Sequence, residues 1–523
     1  MTATQQTAHR YGGGGATPNP KKLMKELKKH YQRAFLALIK AYKRYYLGVW
    51  IIKLPFYKLT SNQHKITKWQ AKRDERLEFL HNALQKFKNT KNIFKAFDWA
   101  ESKKWLNSPE FKAKYLDTKH PYPPLLNPDS VDYKSIPAEL AWKLNLPLPP
   151  NYDLIYFTNG ASASAHICQF FIHCGLKVFP HWIGTGKTDF KEKYILHYNL
   201  ILSKINYFNV VIVCVFAIHD SKLFYLLSKS VPLLYIARDP ISRMKSVCNH
   251  EAGIAIQPQA RNLNLAKTNF ATLIPKVQYY CVGASIVDKP QVKAAFGYER
   301  LYHLMCFDSF LEKMPHLSKK YIFDFDCFTP QHTFETFKEI ARIFSLNMPQ
   351  DKRLFNTRAE KARFGLGVLP ISFKHDGIEI YISADSNVIG DEIIELTETI
   401  LGSAHYFIND SEIIIYATKN NAKRLKAHDD FVQIKTYLRD YINALENNVK
   451  ITLKSLISES QVLAYLKNNN KKRKEIKQFF DKELGFLKEN FPQIVASWKY
   501  YNEFEKMCAE LDKKGIKNEN FTR

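Results

Sequence analysis

Three short stretches of this sequence carry residue types that bind phosphate or move a proton. The first is Thr158-Asn159-Gly160-Ala161-Ser162-Ala163-Ser164. Its residues are small, so the backbone can come close to a ligand. Where such a turn opens a helix, unpaired N–H groups and the positive end of the helix dipole attract an anion. Ser162 and Ser164 would add hydroxyl donors, although Gly and Ser at a strand-to-helix turn are also ordinary capping residues. The second stretch runs from Arg238-Asp239-Pro240 to Ser246, with Arg243 and Lys245 between. Arg238 and Ser246 stand two helical turns apart, and a guanidinium with a hydroxyl suits a phosphate monoester. A capped surface helix whose Arg238 pairs with a carboxylate would have the same residues. The third is Ala217-Ile218-His219-Asp220-Ser221, where His219 is placed to take a proton from a substrate hydroxyl. It is one of 17 histidines, so taken alone a hydrogen-bonded structural histidine is the plainer reading.

Each stretch is expected to follow a strand. Residues 154–158 (LIYFT), 210–218, 232–237 (PLLYIA) and 321–325 are short apolar runs, which suits strands buried on both faces. Helical patterns follow at residues 162–174, 241–250 and 333–344, with Asp239 as an N-cap and Pro240 in a first turn. Strands alternating with helices imply βαβ units and a parallel sheet, so the expected fold class is α/β. In such sheets ligands sit beyond the carboxyl ends of the strands, where all three stretches fall.

The expected organisation is a disordered tail at 1–20, a basic helical region at 21–118, a Pro-rich linker at 119–150, the α/β domain at 151–375 and a C-terminal α+β and helical extension at 376–523. Strand candidates at 378–382 and 412–417 precede the long Lys-rich helices of that extension. Gly184-Thr185-Gly186-Lys187-Thr188 has the ending of a nucleotide-binding P-loop. Its first glycine position is His181 and Pro180 precedes it, so the tight turn is missing.

With 46% hydrophobic and 14% aromatic residues, most of the chain is expected to fold. No apolar run approaches the roughly 18–20 residues of a membrane-spanning helix. The N-terminus has no apolar core of a secretory signal. Eight scattered cysteines form no C-x-x-C pair and no zinc-like cluster, so free thiols in a cytoplasmic chain are expected, and no metal site. The chain carries 77 Lys+Arg against 50 Asp+Glu, a net charge of +27, which favours polyanionic partners. Residues 21–60 hold eleven Lys/Arg and one acidic residue, Glu26, among aromatic and apolar side chains. This segment reads either as a helix on an anionic membrane, at its inner face, or as one packed on the rest of the protein. Nucleic acid is disfavoured as a partner, because none of the common nucleic-acid-binding signatures occurs.

Taken together, the three stretches resemble the sulfotransferase family, which uses the donor 3′-phosphoadenosine 5′-phosphosulfate (PAPS). The resemblance covers roughly residues 151–350. Asn159-Gly160-Ala161-Ser162 is similar to the family's phosphosulfate loop, and Arg238-Asp239-Pro240…Ser246 to its 3′-phosphate segment at the same spacing. His219, 19 residues before Arg238, stands where cytosolic members carry their base. Residues 320–328 and the helix after them resemble the family's later strand and closing helix.

The resemblance implies a P-loop-like core and a PAPS site built from Asn159, Gly160, Ala161, Ser162, Ala163, Ser164, Arg238 and Ser246. It implies sulfuryl transfer to a hydroxyl of a carbohydrate or glycolipid acceptor, with His219 as base. The sequence departs from the family where Thr158 and Asn159 replace the loop lysine and Ala217 a second lysine, which leaves Lys187 as a substitute cation. Arg363-Phe364-Gly365 is a faint echo of the family's C-terminal phosphate segment. Two other functions fit the residues. One is a nucleotide-sugar glycosyltransferase with Asp324-Phe325-Asp326 as its D-x-D metal motif. The other is a non-catalytic envelope- or partner-binding protein on a transferase fold.

Overall fold

The computed structural model describes residues 33, 36, 37, 99–176, 190–203, 208–214, 221–252, 259–263, 265, 270–274, 277–280, 286–297, 301, 304–356, 365–384, 392–409 and 411–520. The tail at 1–20, nearly all of 21–98 with its basic segment, Lys187, Ala217, His219, Arg363 and Phe364 lie outside the described residues.

In chain order the elements that matter are α1 (Trp99–Leu106), α2 (Ala138–Lys143), β1 (Leu154–Thr158), α3 (Ser164–His173), α4 (Phe190–Ser203), β2 (Val210–Cys214), β3 (Leu233–Ala237) and α5 (Pro240–Cys248). Then come β4 (Gln259–Asn262), β5 (Lys320–Asp324), α6 (Thr333–Phe344), β6 (Ile371–His375), β7 (Ile378–Ser383), β8 (Ile393–Glu395) and β9 (Ile414–Thr418). The chain closes with α7 (Lys419–Lys426), α8 (Phe431–Lys454), α9 (Glu459–Asn468), α10 (Asn470–Glu483) and α11 (Lys499–Asn520).

The protein is mixed α/β. Its first sheet has four parallel strands in the order β2-β1-β3-β5. Every residue of β1 and β3 is buried, because helices cover both faces of the sheet. Ile155 and Phe157 point into a core shared with α4 and α5, whereas Leu154 and Tyr156 point into a core shared with α3 and α6. The period of two along the strand therefore sorts side chains between the two cores. The helix after β1 and the helix after β3 lie on opposite faces of adjacent strands. That arrangement is a topological switch point at the carboxyl ends of β1 and β3.

The second sheet has five strands in the order β8-β9-β7-β6-β4, antiparallel except for β4 beside β6. Helix α8 buries Ile434, Leu438, Tyr441, Ile442 and Leu445 against Phe373, Ile380 and Ile415. This spacing is that of one helical face.

The Pro-rich stretch at 119–150 is folded onto the first core. Leu140, Leu144, Leu146 and Leu148 are buried there, and the Tyr194 hydroxyl donates to the Leu146 carbonyl at 2.8 Å. The boundary expected at 375/376 falls in the turn of the β6–β7 hairpin. Beyond it the chain divides between two cores. Helix α8 packs on the second sheet, while Val462, Leu466, Phe480, Tyr501 and Phe504 return to the first core. Among the described residues no helix is long and apolar enough to cross a membrane.

Candidate functional site

The rim between β1 and β3 starts from a buried polar network. Asn159, the first residue after β1, is 0% exposed. Its Nδ2 donates to the Cys306 carbonyl at 3.0 Å, and its Oδ1 accepts from the Tyr235 hydroxyl at 2.9 Å and from Arg243 Nη1 at 3.3 Å. Arg243 is also buried and donates to the carbonyls of Leu304 (2.6 Å) and Ile236 (3.0 Å) and to the Tyr235 hydroxyl (3.1 Å). Arg243, read from the sequence as positive charge beside a ligand, points inward instead. It and Asn159 hold the loop's first residue to β3 and to the backbone at 304–306. The Asn159 side chain thus positions the loop, and its polar atoms face protein.

Beyond this anchor the backbone turns through two left-handed residues, Ala161 (φ 58°) and Ala163 (φ 54°). A side chain in that region costs about 1–2 kcal/mol, so tertiary contacts must hold the turn. These two residues delay α3, which starts at Ser164, two residues later than its apolar pattern suggests. Ala163 is the N-cap and supplies no side-chain hydrogen bond to the helix. Ser162 and Ser164 are buried, and the Ser162 hydroxyl reaches the Gly160 carbonyl at 3.5 Å. Of the turn, Ala161 and Ala163 are only partly buried.

Arg238 leaves the carboxyl end of β3 and closes over this turn. Its Nη1 donates to the Ala161 carbonyl at 2.5 Å, and its guanidinium carbon lies 4.0 Å from the centre of the Phe325 ring. Phe325 immediately follows β5, so one guanidinium ties together the loops after three strands. Burial pulls its pKa down to about 10, and the nearby charge of Arg243 acts in the same direction. It remains a cation at neutral pH.

Two acidic residues at the rim, Asp239 and Asp324, are structural. Asp239 Oδ1 accepts from the amides of Ile241 (2.8 Å) and Ser242 (3.2 Å), capping α5. Its Oδ2 accepts from Tyr500 (3.0 Å) and Tyr501 (3.1 Å), capping α11 as well. Burial raises the pKa of Asp239 against the pull of these four amides. Asp324 accepts from the Asp326 amide at 2.9 Å and from the Trp498 indole at 2.8 Å. Its two oxygens are thus occupied within the fold, which is poor preparation for a D-x-D metal site.

Ser246 lies on the outer side of α5, where its hydroxyl donates to the Ser242 carbonyl at 3.0 Å. The same helix face is covered by the start of α9. Glu459 Oε1 accepts from the Ser242 hydroxyl at 3.1 Å and lies 3.2 Å from Lys245 Nζ. Asn249 exchanges two hydrogen bonds of 2.8 Å with the backbone of Ile457. Sequence reasoning missed Glu459, Phe325 and the inward turn of Arg243. Glu459 meets Ser242 across a separation of 217 residues, which no local pattern can signal. Gly365, the described part of the Arg363-Phe364-Gly365 echo, has φ 87°, and any Cβ there would come within 2.8 Å of Val449 on α8. Close packing accounts for that glycine.

The 322–511 stretch matches the family model described as Protein of unknown function (DUF2972). It begins within β5 and ends within α11, so it takes in the four antiparallel strands of the second sheet and the closing helices and leaves out β1–β4. No curated protein and no solved structure matches the chain.

Away from the rim, a cavity of about 870 Å³ lies between α1 and α4, lined by Glu101, Trp105, Asp132, Lys134 and Tyr198 among others. One further group, His375 and Asp376 at the β6–β7 hairpin with His428 in the loop after α7, has ligand atoms close enough to share a metal ion.

Proposed function

We propose that this chain is a sulfotransferase-like transferase that takes PAPS at the rim between β1 and β3 and moves its sulfuryl group to a hydroxyl of a carbohydrate or glycolipid. The contact of Arg238 with Ala161 carries this reading. It puts a half-buried cation and a helix start without a side-chain cap at one switch point of a parallel sheet, where fixed donors can meet a phosphate without reorganising. In this reading the N–H groups of residues 160–164 and Arg238 hold the nucleotide's phosphates. His219, five positions beyond the last described residue of β2, takes the acceptor's proton. The acceptor oxygen then attacks sulfur in line, and the adenosine bisphosphate leaves.

Glu459 favours a second reading, a partner-binding protein on a transferase fold. Its carboxylate already sits on the Ser242 and Lys245 side of α5, where an incoming phosphate would look for Ser246.

Calorimetry with 3′,5′-adenosine bisphosphate separates the two. Under the first reading the wild-type chain binds, Arg238→Ala abolishes binding, and His219→Ala binds normally but loses sulfuryl transfer from PAPS. Glu459→Gln should then tighten binding by removing a competing negative charge. If the wild type and Glu459→Gln both fail to bind at millimolar nucleotide, the donor assignment fails.

A further inference from the structure

We propose that His375, Asp376 and His428, with Asp430 beside them, form a divalent-metal site that clamps the β6–β7 hairpin to the loop between α7 and α8. This site is independent of the rim and of the function proposed for it.

The site is built from two loops. Residues Asp376 (φ 44°) and Gly377 (φ 72°) make the two-residue turn of the hairpin, with His375 paired to Ile378 at its base. Two successive positive φ angles define the tight turn that matches strand twist, and Asp-Gly is a favoured pair for it. The facing loop follows α7 and carries His428 and Asp430. Arg424, on α7, fastens the two together: its Nη1 donates to the Gly377 carbonyl at 3.0 Å and its Nη2 to the Asp376 carbonyl at 2.8 Å. The four side chains are therefore held by backbone that is already fixed.

The ligand atoms of His375, Asp376 and His428 all lie within 4.8 Å of one another, and Asp430 Oδ2 lies 4.0 Å from His428 Nδ1. His375 Nε2 lies 3.0 Å from Asp430 Oδ2 and 3.9 Å from Asp376 Oδ2. His428 Nε2 lies 3.5 Å from Asp376 Oδ2. A tetrahedral ion bound at about 2.0–2.1 Å has ligand atoms roughly 3.4 Å apart, and the 3.5 and 3.9 Å separations from Asp376 are close to that value. The two imidazoles are the sheltered members, with 16% and 20% of their side-chain surfaces exposed. The carboxylates are more open, at 72% for Asp376 and 40% for Asp430, which leaves a path of entry. With both rings neutral the cluster carries two negative charges, and a divalent cation cancels them. Two imidazoles with carboxylates suit a borderline ion such as Zn²⁺ better than Mg²⁺ or Ca²⁺, which prefer oxygen alone.

Loading has two local costs, of which the first is at His375: its Nε2 donates to Asp430 Oδ2 at 3.0 Å and must give up that proton to take an ion. The second is at His428, where the Asp430 amide donates to Nδ1 at 3.1 Å, which keeps the ring proton of the neutral side chain on Nε2. For Nε2 to take the ion, that proton moves to Nδ1 and the amide releases the ring.

The test uses the full chain, stripped with a chelator and titrated calorimetrically with Zn²⁺ alone, with Mg²⁺ as control. One equivalent of Zn²⁺ should bind and raise the melting temperature, because binding favours the folded state. Mg²⁺ should do neither. Asp376→Asn, at an exposed turn position, should keep the fold and weaken Zn²⁺ binding by roughly 10–100-fold. His375→Ala and His428→Ala should each weaken it at least as much, with circular dichroism confirming that they fold. Absence of Zn²⁺ binding at millimolar concentration would overturn the site, as would stoichiometric binding untouched by all three substitutions. Equal binding of Mg²⁺ would overturn the assigned class of metal.

Discussion

The two larger sheets of this protein put polar chemistry in opposite kinds of place. In the parallel sheet, β1 and β3 are buried along their whole length, so polar side chains can emerge only at the carboxyl rim. Even there most are drawn inward, as Asn159, Arg243 and Asp239 are. In the antiparallel sheet β7 alternates between buried and half-buried residues, one face lying on α8 and the other more open. Its reactive side chains gather at a hairpin turn. A two-sided sheet thus builds a rim from consolidated, nearly dry contacts, whereas a one-sided sheet leaves titratable groups within reach of solvent.

Truncation should separate the two sheets most widely. Phe157, 0% exposed, meets the rings of Phe224, Tyr235, Phe307 and Phe310, so Phe157→Ala should destabilise the chain by about 3–5 kcal/mol in denaturant unfolding. Tyr381→Ala, which breaks the stacked cross-strand pair with Tyr416 at 5.2 Å, should cost only about 1 kcal/mol. Comparable losses at the two positions would break the contrast.

Next in size is Asp239→Ala. It removes the caps of α5 and α11 together, and at about 0.5–2 kcal/mol per cap the loss should total roughly 1–4 kcal/mol. Near-ultraviolet circular dichroism around Trp498 should change with it, because that residue lies at the start of α11.

The dryness of the first core also sets a pH dependence. Asp308 accepts from the Phe486 amide at 2.7 Å, and burial raises its pKa from 3.8 to about 6. The folded state therefore holds this proton more tightly than the unfolded state does. Asp308's contribution to stability should fall as pH rises from about 4 to about 6 and stay level above that. Asp308→Asn keeps an acceptor for the amide and should flatten the decline in melting temperature across that window.

The smallest effect belongs to the turn at the rim. Ala161→Gly removes the penalty of a left-handed alanine and should stabilise the chain by about 0.5–1 kcal/mol, measured by thermal unfolding. A loss of stability instead would mean that the alanine methyl packs better than its backbone strain costs.

Much of the first sheet was legible in the sequence. The run LIYFT became β1, α6 formed over Thr333–Phe344 as its pattern required, and β3 and β5 came within a residue of their apolar runs. Strands buried on both faces must be apolar throughout, and that mark survives without any knowledge of neighbours. The meeting of Arg238 with the 159–164 turn was legible for a related reason. Both follow parallel strands, and carboxyl ends share a rim. The direction of each side chain was not legible. Arg243 reaches Asn159 across 84 residues and Asp239 reaches Tyr500 across 261, and nothing local distinguishes an arginine that faces a ligand from one that faces carbonyls. The His375 and His428 pair was missed in the same way, since neither lies within metal-ligand spacing of the other in the chain.

Composition and periodicity alone determined where strands and helices lie and which residues stand at the ends of strands, because burial on one or two faces leaves a pattern that each segment carries by itself. Only the tertiary structure decided that Asp239 caps two helices, that Glu459 settles against α5, and that a hairpin turn meets the loop before α8. Those outcomes depend on which desolvated polar groups find partners, and the partners come from segments brought together only when the two cores close.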